Sequence, residues 1–142
     1  MRMRGPRVRI VALALLFAAA GTAAFADDVA DCNQQQDLDL RIKGCTALTQ
    51  QPKLPARDKA IALQLRGNAF RLKKEFERAL TDYNEAMALA ADDGVRKPTA
   101  TGIMLVLTEA PPELRNTAAG RKAIDFMEKN FQKSRAAKPA AK

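Results

Sequence analysis

The 142-residue sequence predicts an all-α protein, built as a short stack of helical hairpins. The range 60–93 places its small and bulky residues three and four positions apart, which is the spacing of one helical face. Prolines and a glycine divide the chain beyond residue 50 into segments of helical length. The apolar run 103–107 could form a buried strand, but no second segment resembles a strand that would pair with it. These three observations favour helices throughout.

The first 26 residues have the pattern of a secretory signal peptide. Four arginines precede an apolar run at 10–20, and Ala24-Phe25-Ala26 places small residues at both positions that a signal peptidase reads. We expect cleavage after Ala26, a mature chain that starts at Asp27, and a periplasmic or secreted location. The alternative is an uncleaved N-terminal anchor.

The net charge of +8 is unevenly distributed along the chain. Four of the 24 basic residues lie in the leader, and five more follow Glu128, where no acidic residue occurs. The range 27–128 holds 15 basic and 16 acidic residues, a net charge of −1. A nearly neutral domain exerts no long-range attraction on phosphate backbones, so we expect no nucleic-acid binding. We expect 132–142 to be a disordered basic tail, whose contact with an anionic envelope is the one membrane association predicted.

The cysteine and histidine content limits the chemistry of the protein. Cys32 and Cys45 are the only cysteines, and an even number in an exported chain predicts a disulfide; two buried free thiols are the alternative. The absence of histidine removes Ser-His-Asp and Cys-His catalysis and the commonest zinc ligand. The sequence also contains no glycine-rich phosphate loop and no metal-ligand cluster. We therefore expect no enzymatic activity, no cofactor and no metal site.

The helices are predicted from caps, breaks and apolar spacing. A short lead-in of one or two turns should occupy 27–36, and Asp37 is placed to cap a helix over 38–50. Two further helices are expected at about 57–73 and from about 76 to 91, joined by a turn at 74–75 and closed by Gly94 in a left-handed C-terminal cap. A helix from Pro98 to Glu109 should bury Met104, Leu105 and Leu107, and a last helix should reach Phe131.

The range 60–93 pairs small residues with bulky ones on two facing helices. Its first half carries Leu63, Gly67 and Phe70, and its second half carries Ala79, Tyr83 and Ala86. Helices that approach closely need small residues opposite large ones, which indicates that these six side chains pack together. In length, order and spacing the stretch resembles one tetratricopeptide repeat, although the proline that usually ends the repeat is Ala91 here.

The resemblance implies a repeat scaffold that binds a partner. One repeat cannot bury its own apolar face, so the flanking degenerate helices should act as caps. In such proteins the first helices of the repeats line a concave groove that holds extended peptides. The corresponding positions of this sequence are, in order, Ile61, Gln64, Asn68, Arg71 and Leu72. Asn68 matches the asparagine of the peptide-clamping members, but Gln64 stands where those members have lysine.

The sequence therefore predicts a periplasmic adaptor for a protein or peptide partner. Arg71 is the residue expected to hold a carboxylate of that partner, because its planar fork suits bidentate pairing. One alternative is an envelope-associated structural protein that uses its basic tail. Another is a small subunit of a larger assembly, such as a homo-oligomer in which a second copy completes the stack.

Overall fold

A computed structural model describes residues 24–136, which form α-helices and one 3-10 helix and contain no strand. The elements are α1 at 24–33, α2 at Leu38–Thr49, α3 at Ala56–Leu72, α4 at Phe76–Leu89, α5 at Asp93–Glu109, the 3-10 helix at Pro112–Asn116 and α6 at Ala118–Ala136. The prediction of an all-α stack is confirmed. No helix within these residues is long and apolar enough to cross a membrane.

The predicted leader and tail lie mostly outside the described residues. Only the last three leader residues, 24–26, are described, and they form the start of α1. At the other end, α6 continues to Ala136, so residues 132–136 are helical where a disordered tail was predicted. The prediction that this helix ends at Phe131 is therefore wrong by about one turn.

The central hairpin consists of α3 and α4. Pro55 immediately precedes α3, where its missing N–H leaves no helical hydrogen bond unmade. The chain reverses at Lys74, which adopts a left-handed conformation with φ 61°, and α4 begins two residues later. The turn that the sequence predicts at 74–75 is confirmed.

Tyr83 is the centre of the packing between α3, α4 and α5. Its side chain is fully buried, and its ring lies against Gly67 of α3 and Gly102 of α5. A Cβ at Gly67 would lie 2.7 Å from Tyr83 Cε1, and a Cβ at Gly102 would lie 2.6 Å from Tyr83 Cζ. These distances are too short for carbon atoms, so both helices reach the ring only because they carry glycine there.

The six residues of the packing pattern all lie in the interior. Five have exposed fractions of 3% or less, and the sixth, a glycine, is also buried; they are Leu63, Gly67, Phe70, Ala79, Tyr83 and Ala86. Leu80 and Met87 complete the α4 side of this core, and Ile103, Val106 and Ala123 reach it from α5 and α6. The core thus centres on α4, which contacts α3, α5 and α6.

A disulfide joins α1 to α2. Cys32 and Cys45 are bonded, which confirms the predicted pairing. Gly44 lies beside the bridge, where a Cβ would meet the backbone of α1 at 2.7 Å. As predicted, Asp37 caps α2, since its Oδ1 accepts hydrogen bonds from the amides of Asp39 and Leu40, both at 2.9 Å. The disulfide and the close approach at Gly44 fix the short α1 against α2.

Helix α5 begins earlier than the sequence predicts. Its first residue is Asp93, and the side chain of Asp92 caps it by accepting a hydrogen bond from the amide of Val95 at 3.3 Å. Gly94 lies in the first turn of α5 with a negative φ, so its predicted role as a left-handed cap of α4 is wrong. Pro98 is inside the helix, where it costs one hydrogen bond near the N-terminus, and the Asp92 cap allows the helix to start before it.

The exposed side of α5 overturns part of the predicted core. Met104 is 58% exposed and Leu105 is 40% exposed, although both were expected to be buried. The buried face of α5 carries Thr99, Gly102, Ile103 and Val106 instead. The described residues provide helices against one side of α5 only, which leaves its opposite side open to solvent.

Candidate functional site

The open side of α5 forms one wall of a groove with a volume of about 540 Å³. Its floor is α3, which contributes Gln64, Leu65, Asn68, Arg71 and Leu72. One wall comes from the connection after α1 and from α2, and the other comes from α5; they carry Gln35, Arg41, Pro98, Thr101, Gly102 and Leu105. All four binding residues predicted within the α3 segment 64–72 therefore lie in one groove. We call this surface the α3 groove.

Asn68 is oriented from below by the buried tyrosine. The hydroxyl group of Tyr83 donates a hydrogen bond to Asn68 Oδ1 at 2.6 Å. Burial raises the pKa of Tyr83 to about 12, so the phenol keeps its proton and remains a donor at neutral pH. With its oxygen occupied in this way, Asn68 presents its amide N–H groups as the hydrogen-bond donors available to a ligand.

Arg71 is already paired within the protein. Its Nη1 donates to both carboxylate oxygens of Glu109, at 2.7 and 3.0 Å. The Arg71 side chain is 19% exposed, and the Glu109 side chain is 40% exposed. Because this carboxylate balances its charge, Arg71 is poorly placed to be the main anion-binding residue that the sequence predicts.

The α3 groove carries apolar side chains beside its polar groups. Leu72, which is 53% exposed, and Leu105, which is 40% exposed, both line it. A second depression of about 550 Å³ shares Arg71 and Leu72 with the groove and continues to Lys74, Phe76, Glu109 and Pro111. The two depressions therefore form one continuous surface that extends past the C-terminal end of α3.

Arg41 is a groove residue that the sequence gives no reason to choose. It is only 6% exposed, and its Nε donates to the backbone carbonyl of Gln34 at 2.7 Å. No carboxylate among residues 24–136 lies within 4 Å of its guanidinium. Its helical position in α2 resembles that of any surface arginine, and only the packing of α2 on α3 turns it into the interior.

Arg66 shows how a largely buried arginine is satisfied elsewhere in this fold. It makes two parallel hydrogen bonds to Asp82, at 2.7 and 2.8 Å, and further bonds to the hydroxyl groups of Thr46 and Thr49 at 3.0 and 3.3 Å. The hydrogen bond with Asp82 raises the pKa of Arg66. This network joins α2, α3 and α4 on the side of α3 away from the groove.

Ile61 does not line the groove, contrary to the sequence expectation. It lies in a separate apolar cavity of about 290 Å³ between α1, α2 and α3. Val29, Leu48 and Leu65 are among the other lining residues, and so is Phe25, which belongs to the predicted leader. The described residues contain no group of three or more potential metal ligands in this cavity or elsewhere.

Comparison with protein-family models, with curated proteins and with solved structures found no match for this chain. The functional interpretation therefore depends on the groove itself.

Proposed function

We propose that this protein is an exported adaptor that binds an extended segment of a protein partner in the α3 groove. The observation that carries this proposal is the pair of exposed leucines, Leu72 on the floor and Leu105 on the α5 wall, which line one groove together with polar side chains. Exposed apolar side chains in a concave surface are typical of a binding site.

The size of the groove suits a short extended peptide. From Gln64 to Leu72 the floor follows two turns of α3, which is about 12 Å along the helix axis. An extended chain covers this distance with about four residues. The amide groups of Gln64 and Asn68 are suited to the backbone of such a chain, and the leucines are suited to its side chains.

Two features support export of the protein. The leader has the pattern of a secretory signal, and Cys32 and Cys45 form a disulfide, which persists in oxidising compartments. The resemblance of the central hairpin to a tetratricopeptide repeat agrees with an adaptor role, since such repeats bind protein segments. A small interface of this kind is expected to bind with micromolar or weaker affinity.

The proposal is tested with a degenerate library of fluorescein-labelled heptapeptides whose C-termini are amidated. The protein should retain part of this library, and the double variant Leu72→Ser with Leu105→Ser should lose about tenfold in retention, because two buried apolar contacts disappear. Since both leucines are exposed in the free protein, its melting temperature should change little. Met104→Ser is the matched control, because Met104 is also exposed on α5 but does not line the groove. Equal losses in the double variant and the control would overturn the proposal.

A further inference from the structure

We infer that Arg41 binds the carboxylate of an internal aspartate or glutamate in the partner segment. This inference rests on the proposed function of the α3 groove and names the chemistry that the groove selects. It transfers the anion-binding role from Arg71, which the sequence favours, to a residue on the groove wall.

Arg41 lacks a counter-charge within the described residues. Only 6% of the surface of Arg41 is exposed. Burying a charge costs free energy unless a partner balances it. All 16 aspartates and glutamates of the chain lie between residues 24 and 136, and none forms an ion pair with Arg41. No acidic side chain of this protein therefore balances Arg41 in the fold described.

Arg41 is accessible from the α3 groove. The Nε of Arg41 is occupied by the carbonyl of Gln34, whereas its two terminal nitrogens make no hydrogen bond within the described residues. The two terminal nitrogens of Arg41 also retain some solvent exposure. The Nε of Arg71 differs, because it is fully buried and has no hydrogen-bond partner among the described residues. Because Arg41 lines the α3 groove, its terminal nitrogens can donate to a ligand seated in it.

The charge around Arg41 favours an acidic ligand. The continuous surface formed by the groove and its neighbouring depression carries three cations, Arg41, Arg71 and Lys74, and one carboxylate, Glu109. That carboxylate is already bound to Arg71. The surface is therefore net positive within a domain that is close to neutral, which is the local complement of an acidic segment.

The position of Arg41 along the groove favours an internal side chain over a chain terminus. Helices α2 and α3 run antiparallel, since Asp39 pairs with Lys73 and Thr46 bonds to Arg66. Arg41 follows Asp39 by two residues, so it lies level with the end of α3, near Arg71. The surface continues on both sides of that level, towards Gln64 in one direction and towards Phe76 and Pro111 in the other. A bound chain would pass Arg41 and continue, which places a side-chain carboxylate at the guanidinium.

Two sets of peptides test this inference. Each is a degenerate, N-acetylated heptapeptide library that carries a C-terminal fluorescent lysine amide, and its fourth residue is fixed as Glu in one set and as Gln in the other. Wild-type protein should retain the Glu set about tenfold better than the Gln set, because a charge-assisted hydrogen bond is lost in the second. Arg41→Gln should retain both sets equally and weakly, and Arg41→Lys should keep part of the preference for Glu.

Arg96→Gln is the matched control. Arg96 also donates to a carbonyl at a helix end, that of Ala90 at 2.8 Å, and it too has no ion pair among residues 24–136, but it does not line the groove. This variant should keep the full preference for Glu. A loss of preference in both variants would show a general effect of net charge and would overturn the assignment to Arg41.

The remaining outcomes separate the inference from the proposed function. Retention of both sets with no preference for Glu would overturn the Arg41 site and leave the groove function standing. Retention of neither set would overturn the groove function, and the Arg41 site with it. A third library, with Gln at the fourth position, an N-terminal label and a free C-terminal carboxylate, identifies the source of the anion. If wild-type protein retained it as well as the Glu set, the site would bind a chain terminus and the internal carboxylate would be wrong.

Discussion

The two sides of α3 each place a buried or largely buried arginine nearby, and they treat its charge in opposite ways. On the packed side, Arg66 is held by two bonds to Asp82 and by two threonine hydroxyl groups. On the groove side, Arg41 has one bond to a backbone carbonyl and no acidic partner among residues 24–136. The first arrangement is complete within the protein, so it is expected to contribute to stability. The second can be completed by a ligand, so its main effect should be on binding.

The same contrast holds for the apolar residues. Side chains on the packed side of α3, such as Leu63 and Phe70, are 1% and 3% exposed. On the groove side, Leu72 remains 53% exposed. Changes of similar chemistry on the two sides should therefore have different consequences. Two measurements compare such changes directly, and a third follows the tyrosine that joins the two sides.

The largest effect is expected from adding volume on the packed side. Gly67→Leu should unfold the domain or lower its stability by more than about 3 kcal/mol, because even a Cβ at this position would lie 2.7 Å from Tyr83 Cε1. A second helix also lies against the ring, since a Cβ at Gly102 of α5 would be 2.6 Å from Tyr83 Cζ. Gln64→Leu, on the groove side of the same helix, is the control and should change stability by less than about 1 kcal/mol. Thermal unfolding followed by circular dichroism measures both, and an unchanged midpoint for Gly67→Leu would contradict the close packing.

The second measurement compares the two arginines directly. Arg66→Gln should lower the free energy of unfolding by about 3 kcal/mol, because it leaves the carboxylate of Asp82, whose side chain is 6% exposed, without its cation. Arg41→Gln leaves no acidic partner behind and should cost less than about 1 kcal/mol. Denaturant titration of both variants gives the two values. An equal cost at the two positions would show that Arg41 is primarily a structural residue.

The third effect is the pH dependence caused by Tyr83. Burial raises the pKa of this phenol to about 12 in the folded protein, while the unfolded chain ionises near 10. The folded state therefore holds the proton more tightly, so this contribution to stability is complete below pH 10 and is lost as the pH rises from about 10 to about 12. The loss should approach about 2–3 kcal/mol.

Tyr83 is the only tyrosine, and the chain contains no tryptophan, so the titration can be followed directly. Phenolate absorbance should rise near pH 12 in the folded protein and near pH 10 in guanidinium chloride. Coincident curves would show that the ring is not buried between the two glycines as described. Because this tyrosine also orients Asn68, its ionisation reports on the junction between the packed side and the groove side of α3.

Much of the helical architecture could be predicted from local sequence. The turn at 74–75, the Asp37 cap and the Cys32–Cys45 pair depend on nearby residues or on simple counting, and the structure confirms them. The start of α5 was missed because Pro98 is a stronger sequence signal than the Asp92 cap that precedes it. The predicted burial of Met104 and Leu105 is wrong for a different reason. In a continuous apolar run every helical face is apolar, so the sequence does not indicate which face the neighbouring helices will cover.

The sequence alone determined the helical periods, the disulfide pair and the set of small and bulky residues on α3 and α4, because each of these follows from residue types at short separations. Only the tertiary structure decided which charges are balanced. Arg41, Arg66 and Arg71 are the same residue type on helical segments, and their spacing does not distinguish them. Their partners, Asp82 for Arg66 and Glu109 for Arg71, lie 16 and 38 residues away along the chain. Ion pairing depends on distances between residues on different helices, which only the packing of those helices sets.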